Sequence, residues 1–278
     1  MENLDGKVSV IIPAYNEGEH IFANLGEVTR TFDDFGCDYE IILIDDGSTD
    51  NTYEQAIRFA ANYDNIIVKR NRANYGKGRA LKYGCRFVNG KYAVFLDADM
   101  DLHPGQIRTF FDIMKLDEAD IVIGSKRHPN SKLYYPLGRR IISSIYFFLI
   151  NLLFGLPIKD TQTGLKVFKY RALKEIFPKI IIKQFAFDLE LLVNAHHLDY
   201  KIAEAPVVLN SQRKYGRIGF YSIYRIWMDT MAIFYRMYIL KYYDRNNPIN
   251  LYAEKVKKKR IKNGNLQFNS RASKKDKR

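Results

Sequence analysis

Short apolar runs alternate with longer amphipathic segments over the first half of the chain. Runs rich in β-branched residues predict buried strands at 8–12, 39–44, 65–69, 92–96 and 119–124. Apolar residues at helical spacing predict helices between them, at 18–35, 51–63, 76–89 and 104–116. Strands that alternate with helices indicate βαβ units, so we expect an α/β fold with a mostly parallel sheet flanked by helices.

Polar side chains follow three of these strands. Residues 13–17 follow the first strand, 45–50 the second and 97–101 the fourth. In an open parallel sheet, ligands bind outside the carboxyl ends of the strands, so these segments are expected to form one site.

Three carboxylates, Asp97, Asp99 and Asp101, alternate along the last of these segments. In an extended chain they would face the same side and repel one another unless a cation lay among them. Mg²⁺ or Mn²⁺ bridging a diphosphate is the expected occupant. A solvated acidic turn is the alternative for a motif this short.

The second half of the chain is more apolar. Residues 141–158 carry no charge and are a borderline membrane span by length, but their polar residues recur on one helical face. This pattern predicts an amphipathic helix at about 139–157, lying in a membrane interface or packed on the domain. Residues 218–243 show a similar narrow polar stripe around the only tryptophan, Trp227. An ordinary pair of core-packing helices explains both patterns equally well.

Charge is concentrated at the end of the chain. The net charge is +13, and the last 25 residues contain 11 Lys and Arg against only Glu254 and Asp276. A basic tail favours phosphate-rich partners, either an anionic membrane surface or nucleic acid. The tail lacks interleaved aromatic residues, so we expect no nucleic-acid binding. Two cysteines, Cys37 and Cys85, fit a reducing compartment.

Four segments together resemble the family 2 glycosyltransferases, which have the GT-A fold. They are VSVIIPAYNE at 8–17, YEIILIDDGSTD at 39–50, NYGKGRALKYG at 74–84 and the aspartate cluster at 97–101. The resemblance runs from about residue 8 to 238 and implies a nucleotide-sugar donor. It places the donor nucleotide at Pro13, Ala14, Tyr15, Glu17, Ile44, Asp46, Lys77, Asp97 and Ala98, and the metal at Asp97, Asp99 and Asp101.

Later segments resemble the polyprenyl and dolichyl phosphate sugar synthases. KDTQTGLKVF at 159–168 and FAFDLELL at 185–192 are most similar to the dolichyl-phosphate glucosyltransferase branch. The resemblance implies a UDP-sugar donor, with glucose favoured, and a polyprenyl or dolichyl phosphate acceptor. By position, the acceptor phosphate is expected at Lys126, Arg139, Ser143, Arg213, Lys214 and Arg217, with Asp160 and Gln162 positioning the acceptor or the sugar.

The acceptor phosphate is already anionic near neutral pH, so its oxygen needs little help from a base. We therefore expect a single in-line displacement with inversion, giving a β-linked product, in which metal-bound carboxylates stabilise the leaving diphosphate. The candidate catalytic residues are Asp99, Asp188 and Glu190. Asp188 and Glu190 would share a face if their segment were extended but not if it were helical, and a structural role remains an equal alternative.

The sequence predicts a GT-A catalytic domain at 1–217, an amphipathic membrane-interface region at 218–250 and a basic, disordered tail at 251–278. Such an enzyme would lie on the cytoplasmic face of a membrane as a peripheral protein. The alternatives are a family 2 transferase that uses GDP-mannose or a polysaccharide acceptor, a nucleotidyltransferase, and a nucleic-acid-binding protein. The oligomeric state stays open.

Overall fold

Seven strands form one mixed sheet in the computed structural model of the chain. The structure describes residues 4–131, 137–182, 186–209 and 220–245, and at 137–143, 220–223 and 245 it describes the backbone alone. The strands are β1 (Val8–Ala14), β2 (Tyr39–Asp45), β3 (Ile66–Arg70), β4 (Tyr92–Phe95), β5 (Ile121–Ser125), β6 (Lys166–Lys169) and β7 (Ile202–Pro206). Their order across the sheet is β3-β2-β1-β4-β6-β5-β7.

Parallel pairing joins β3, β2, β1 and β4 on one side of the sheet and β5 with β7 on the other. Strand β6 lies between β4 and β5 and runs antiparallel to both. The sheet is therefore mostly parallel, as predicted. The antiparallel β6 also brings its amino end to the edge where β1, β2 and β4 have their carboxyl ends.

The described residues form nine α-helices. They are α1 (Ile21–Phe35), α2 (Thr52–Ala60), α3 (Lys77–Gly84), α4 (Ile107–Leu116), α5 (Leu137–Phe154), α6 (Tyr170–Ile176), α7 (Phe187–His197), α8 (Phe220–Phe234) and α9 (Tyr242–Arg245). Short 3₁₀ segments follow α3 and α6 and precede α4. The five predicted strands and four predicted helices are confirmed in kind, with ends that shift by a few residues.

The central strands are buried on both faces. Every residue of β2 is buried, and β1 is exposed only partly, at Pro13. On one face the strands pack against α1 and α4 through Phe32 and Phe110. This two-sided burial explains why the strands appear in the sequence as continuous apolar runs.

Helices α5 and α8 pack on each other. Tyr146 and Thr230 join them through a hydrogen bond of 3.2 Å between their hydroxyl groups, and the rings of Phe154 and Phe234 make an edge contact. Along the outer side of α5, Ile145, Phe148 and Leu152 are 65–70% exposed. Helix α5 is therefore packed on the domain on one side and presents an apolar stripe on the other.

None of the helices among the described residues is long and apolar enough to span a bilayer. The chain divides into two compact units, Met1–Phe234 and Tyr235–Arg278. The described part of the second unit holds a π-helix at Tyr235–Ile239 and α9. The predicted boundary at 217/218 and the tail at 251–278 lie outside the described residues and stay predictions.

Candidate active site

A cleft of about 620 Å³ opens at the carboxyl edge of β1, β2 and β4. Its volume lies in the range of small-molecule sites. The structure brings together most of the residues that the sequence predicted for a donor site. The cleft is lined by Pro13, Ala14, Tyr15, Glu17, Asp46, Lys77, Asp97, Ala98, Asp99, Gln162 and Asp188, together with Asn74, Gly76 and Ile226.

Side chains that follow β2, in the loop and at the start of α2, hold the loop after β1 in place. The N–H of Asn16 donates to Ser48 Oγ at 2.9 Å, and the N–H of Glu17 donates to Thr52 Oγ1 at 2.8 Å. Asn16 takes a left-handed conformation, which asparagine tolerates better than most residues. The two polar segments noted in the sequence therefore form one interlocked wall of the cleft.

Asp46 fixes the segment that leads into α3. Its carboxylate accepts hydrogen bonds from the N–H of Tyr75 at 3.1 Å, from the N–H of Gly76 at 2.7 Å and from Asn71 Nδ2 at 2.7 Å. The carboxylate is buried, and these donors satisfy it. Asp46 thus lines the cleft and also sets the position of the first turn of α3, where Lys77 stands.

Two lysine–carboxylate pairs lie at the base of the cleft. Lys77 Nζ is 2.5 Å from Asp97 Oδ1, and both side chains are roughly one-third exposed. Lys166 Nζ is 2.8 Å from Asp188 Oδ1, and this lysine is almost fully buried. Lys166 also donates to the carbonyl of Thr163. The base of the cleft is therefore a charge-balanced cluster.

The pairing of Lys77 with Asp97 shifts the pKa of both groups. Burial would raise the pKa of Asp97, but the positive charge of Lys77 and other lysines outweighs it and holds the pKa below its usual value. Burial would lower the pKa of Lys77, whereas the charges of Asp97, Asp188 and Asp99 raise it. Both groups are therefore charged at neutral pH.

Glycines make this arrangement possible by close packing. A Cβ at Gly164 would lie 1.8 Å from Asp97 Oδ2, so a side chain there would displace the carboxylate. A Cβ at Gly78 would lie 2.5 Å from the ring of Phe187. Because Gly78 follows Lys77 and Phe187 precedes Asp188, this contact brings the two charged side chains to the same cleft.

Lys166 is a site residue that the sequence analysis missed. It stands in LKVF, where a lysine interrupts an apolar run, and a lysine in a buried strand requires a carboxylate partner. That signal was present in the sequence. Its location was not, because only the antiparallel course of β6 brings Lys166 to the edge that carries the cleft.

The expected row of three carboxylates is wrong in one member. Residues 97–101 are not extended, because the N–H of Met100 bonds to the carbonyl of Asp97 at 3.3 Å and Met100 has a φ of 55°. The resulting turn keeps Asp101 out of the cleft lining, and its N–H donates to Asp99 Oδ1 at 3.2 Å. Asp97 and Asp99 remain at the cleft.

Asp97 and Asp99 fit a divalent cation. Carboxylate oxygens are the ligands that Mg²⁺ and Mn²⁺ prefer, and Asp97 already forms an ion pair with the cationic Lys77. Among the described residues, no group of three or more histidine, cysteine or acidic side chains could hold an ion by itself. Such a cation would therefore need further oxygen ligands, and Mg²⁺ usually takes these from substrate phosphates and water.

Two further predictions are corrected. Ile44 is fully buried, because its side chain packs in the core close to Gly84 of α3, and it is not among the residues that line the cleft. Glu190 lies on α7, so it does not share a face with Asp188. Its buried carboxylate accepts hydrogen bonds from the N–H groups of Ile181 and Ile182, at 2.9 and 2.7 Å. Glu190 therefore has a structural role.

Of the residues predicted for the acceptor, Gln162 lines the cleft. Asp160 accepts hydrogen bonds from the N–H of Lys126 and the hydroxyl of Thr163 and so shapes the turn beside it. Lys126 is not among the residues that line the cleft, but its positive charge contributes to the lowered pKa of Asp97. The side chains of Arg139 and Ser143, and all of Arg213, Lys214 and Arg217, lie outside the described residues.

The model of the family described as glycosyl transferase family 2 matches residues 9–177. This match begins in β1, covers β2 to β6, and includes Lys77, Asp97 and Lys166 at the base of the cleft, while Asp188 lies beyond it. The chain belongs to glycosyl transferase family 2.

Curated relatives narrow the comparison for this family 2 chain. A dolichyl-phosphate beta-glucosyltransferase of Trichomonas vaginalis is 34% identical over 73% of this chain and 65% of its own length. The dolichyl-phosphate beta-glucosyltransferase of Saccharomyces cerevisiae is 32% identical over 72% of this chain and 66% of its own length. The family 2 chain thus spans about two thirds of the length of these relatives.

Solved structures support the fold. The glucosyl-3-phosphoglycerate synthase of Mycobacterium tuberculosis, in complex with Mn²⁺, uridine diphosphate and glucosyl-3-phosphoglycerate, has a TM-score of 0.61 at 20% identity and covers 82% of this chain and 78% of its own. The GT-A fold expected from the sequence is therefore confirmed. Neither the fold nor the relatives support the nucleic-acid alternative.

Proposed function

We propose that this family 2 chain transfers glucose from UDP-glucose to polyprenyl or dolichyl phosphate, giving a β-linked lipid-phosphate glucose. The observation that carries the proposal is the composition of the cleft wall. Lysines and carboxylates lie at its base, while Ile226 of α8 lines its border and the neighbouring Trp227 and Met228 are exposed. A polar site beside an exposed apolar surface suits an acceptor that joins a phosphate to a long hydrocarbon chain.

The donor is proposed to lie over the wall formed by residues 13–17 and Asp46, with its diphosphate directed toward Lys77. Relatives named dolichyl-phosphate beta-glucosyltransferases support glucose as the sugar. Asp97 and Asp99 would hold a divalent cation, which would supply positive charge toward the diphosphate of the donor.

The chain's own residues then arrange two anionic groups for one displacement. A new bond forms between an acceptor phosphate oxygen and the anomeric carbon, and the bond from that carbon to the diphosphate breaks with inversion. The acceptor oxygen already carries negative charge, so no residue has to remove a proton from it. Lys126 is proposed to hold the incoming phosphate, and Lys77 the departing one.

Asp188 is proposed to position the sugar or the acceptor. Its carboxylate lines the cleft, and its ion pair with the buried Lys166 fixes its orientation. Because this pair balances its charge, Asp188 adds little repulsion toward the two phosphate groups.

The acceptor's hydrocarbon chain requires a bilayer nearby. We place the contact at the exposed apolar residues Ile145, Phe148 and Leu152 of α5 and Trp227 and Met228 of α8. The enzyme would be peripheral, on the cytoplasmic face. The basic tail would add about 1 kcal/mol per charge near an anionic surface.

A panel of donors tests the proposal. UDP-glucose, UDP-N-acetylglucosamine and GDP-mannose are each incubated with polyprenyl phosphate and Mg²⁺ or Mn²⁺, and the product anomer is assigned by NMR. We expect turnover with UDP-glucose and a β-linked product, and loss of turnover in Asp99→Asn. An α-linked product would overturn the in-line scheme, and preference for GDP-mannose would overturn the assignment of the sugar.

Flotation with anionic vesicles tests membrane contact separately. We expect the double variant Phe148→Ser/Leu152→Ser and a chain lacking residues 254–278 each to bind less vesicle at low salt. The control Tyr63→Ser/Leu116→Ser removes two exposed apolar side chains from elsewhere on the surface. Equal binding by the α5 variant and this control would remove α5 from the membrane contact.

A further inference from the structure

A second cavity, of about 430 Å³, lies along α3 and shares no lining residue with the active-site cleft. Three basic side chains, Arg79, Lys82 and Arg86, line it together with the segment Ile180–Ile182. None of the described residues that line it is acidic. We name this cavity the α3 groove.

The basic side chains converge because of their spacing. Residues 79, 82 and 86 stand at i, i+3 and i+7 along α3 and the 3₁₀ turn that follows it, so they occupy one face. The guanidinium of Arg79 lies over the ring of Tyr75, 4.0 Å from its centroid, and that of Arg86 lies over Tyr83 at 5.9 Å. Aromatic faces orient these groups but leave their positive charge uncompensated.

The opposite wall of the α3 groove is fixed from beneath. Lys82 Nζ donates to the carbonyl of Ile180 at 2.9 Å, and the buried carboxylate of Glu190 accepts hydrogen bonds from the N–H groups of the next two residues. Burial lowers the pKa of Lys82. Because burial disfavours the charged form of Lys82, an anion bound beside it would stabilise its ammonium group.

The geometry points to a phosphate-binding site in the α3 groove, in which Arg79, Lys82 and Arg86 hold the anion and Ile180–Ile182 contact an apolar part of the ligand. Arginine forks suit phosphate oxygens, and the groove combines them with an isoleucine wall. A lipid headgroup phosphate and a soluble phosphate share this chemistry. The site lies outside the cleft, but the two meet at α3, since Lys77 lines the cleft and Gly78 lines the groove.

Calorimetric titration of the full chain tests this site without any need for turnover, so its failure is distinct from failure of the proposed function. The probes are dihexanoyl phosphatidic acid below its micelle concentration, inorganic phosphate, and dihexanoyl phosphatidylcholine as a zwitterionic reference. The variant Arg79→Ala/Arg86→Ala changes two exposed residues and keeps Lys82. The control Arg58→Ala/Arg108→Ala also removes two exposed arginines, from outside both cavities. Equal thermal melting checks that both variants fold.

We expect phosphatidic acid to bind the wild type and the control alike and to bind the groove variant about tenfold more weakly. Inorganic phosphate that shows the same dependence on the groove at equal affinity would support the site and assign its ligand to the soluble source. Phosphatidic acid binding in the groove variant within about twofold of wild type would overturn the inference.

Discussion

The buried pair Lys166–Asp188 gives the sharpest test of the cleft's construction. In the variant Lys166→Met, the apolar stem is kept while the ammonium is lost, so Asp188 keeps a charge without its partner. Lys166 is almost fully buried and Asp188 is 14% exposed. Removing one partner of such a pair costs about 3–5 kcal/mol, and because Asp188 is slightly exposed we expect a loss of about 3 kcal/mol.

Urea unfolding followed by circular dichroism measures this loss. The double variant Lys166→Met/Asp188→Asn leaves no uncompensated charge, so the cycle should show a coupling of about 2 kcal/mol. Lys169→Met is the matched control, because Lys169 lies on the same strand and pairs with Asp120 but is 29% exposed. That control should lose less than about 1 kcal/mol. A loss in Lys166→Met no larger than in the control, or purely additive effects in the cycle, would refute the reasoning.

Three further substitutions separate structural from functional groups. Glu190→Gln should lower the free energy of unfolding, measured in urea, by about 1–3 kcal/mol, while the turnover of the folded protein stays within about twofold of wild type. A loss of turnover without a loss of stability would show that Glu190 is a catalytic residue. Gly164→Ala should reduce kcat/KM at least about tenfold, because its Cβ displaces the Asp97 carboxylate. Gly26→Ala is the control and should not reduce it, because a Cβ there would lie at an ordinary contact distance of 3.6 Å from the ring of Phe59. Equal kinetics in the two variants would contradict the contact between Gly164 and Asp97. Lys77→Met should raise the pKa of Asp97. In the wild type, the lowered pKa of Asp97 contributes stability above about pH 4, the ordinary aspartate value, and this contribution is lost as pH falls through the lowered pKa. In Lys77→Met this contribution should be absent at neutral pH. A pH dependence of the unfolding free energy equal to that of the wild type would count against the pairing.

The sequence allowed the part of the fold that local patterns determine to be predicted. The continuous apolar runs of β1, β2 and β4 and the polar residues that follow them identified the sheet and the edge that carries the cleft. Most donor-site residues were located in this way because the carboxyl ends of parallel strands must meet. Strand β6 was not predicted, because it is only four residues long and too short to show a periodic pattern of apolar residues.

The errors have local physical causes. Asp101 was placed by assuming an extended segment, but a left-handed Met100 turns the chain after Asp99. Glu190 is an acidic residue two positions after Asp188, but on helix α7 its carboxylate faces backbone N–H groups instead of the cleft. Lys166 could be recognised as unusual from its apolar neighbours, but its partner Asp188 comes from a helix 22 residues away and is brought near only by tertiary packing.

The choice of acceptor tests the proposed function most directly. Purified wild-type protein is given UDP-glucose with either polyprenyl phosphate or 3-phosphoglycerate, and kcat/KM is compared. We expect transfer to polyprenyl phosphate and negligible transfer to 3-phosphoglycerate, because Ile226 lines the cleft and the neighbouring Trp227 and Met228 are exposed apolar residues. Efficient formation of glucosyl-3-phosphoglycerate, with no transfer to the lipid phosphate, would contradict it.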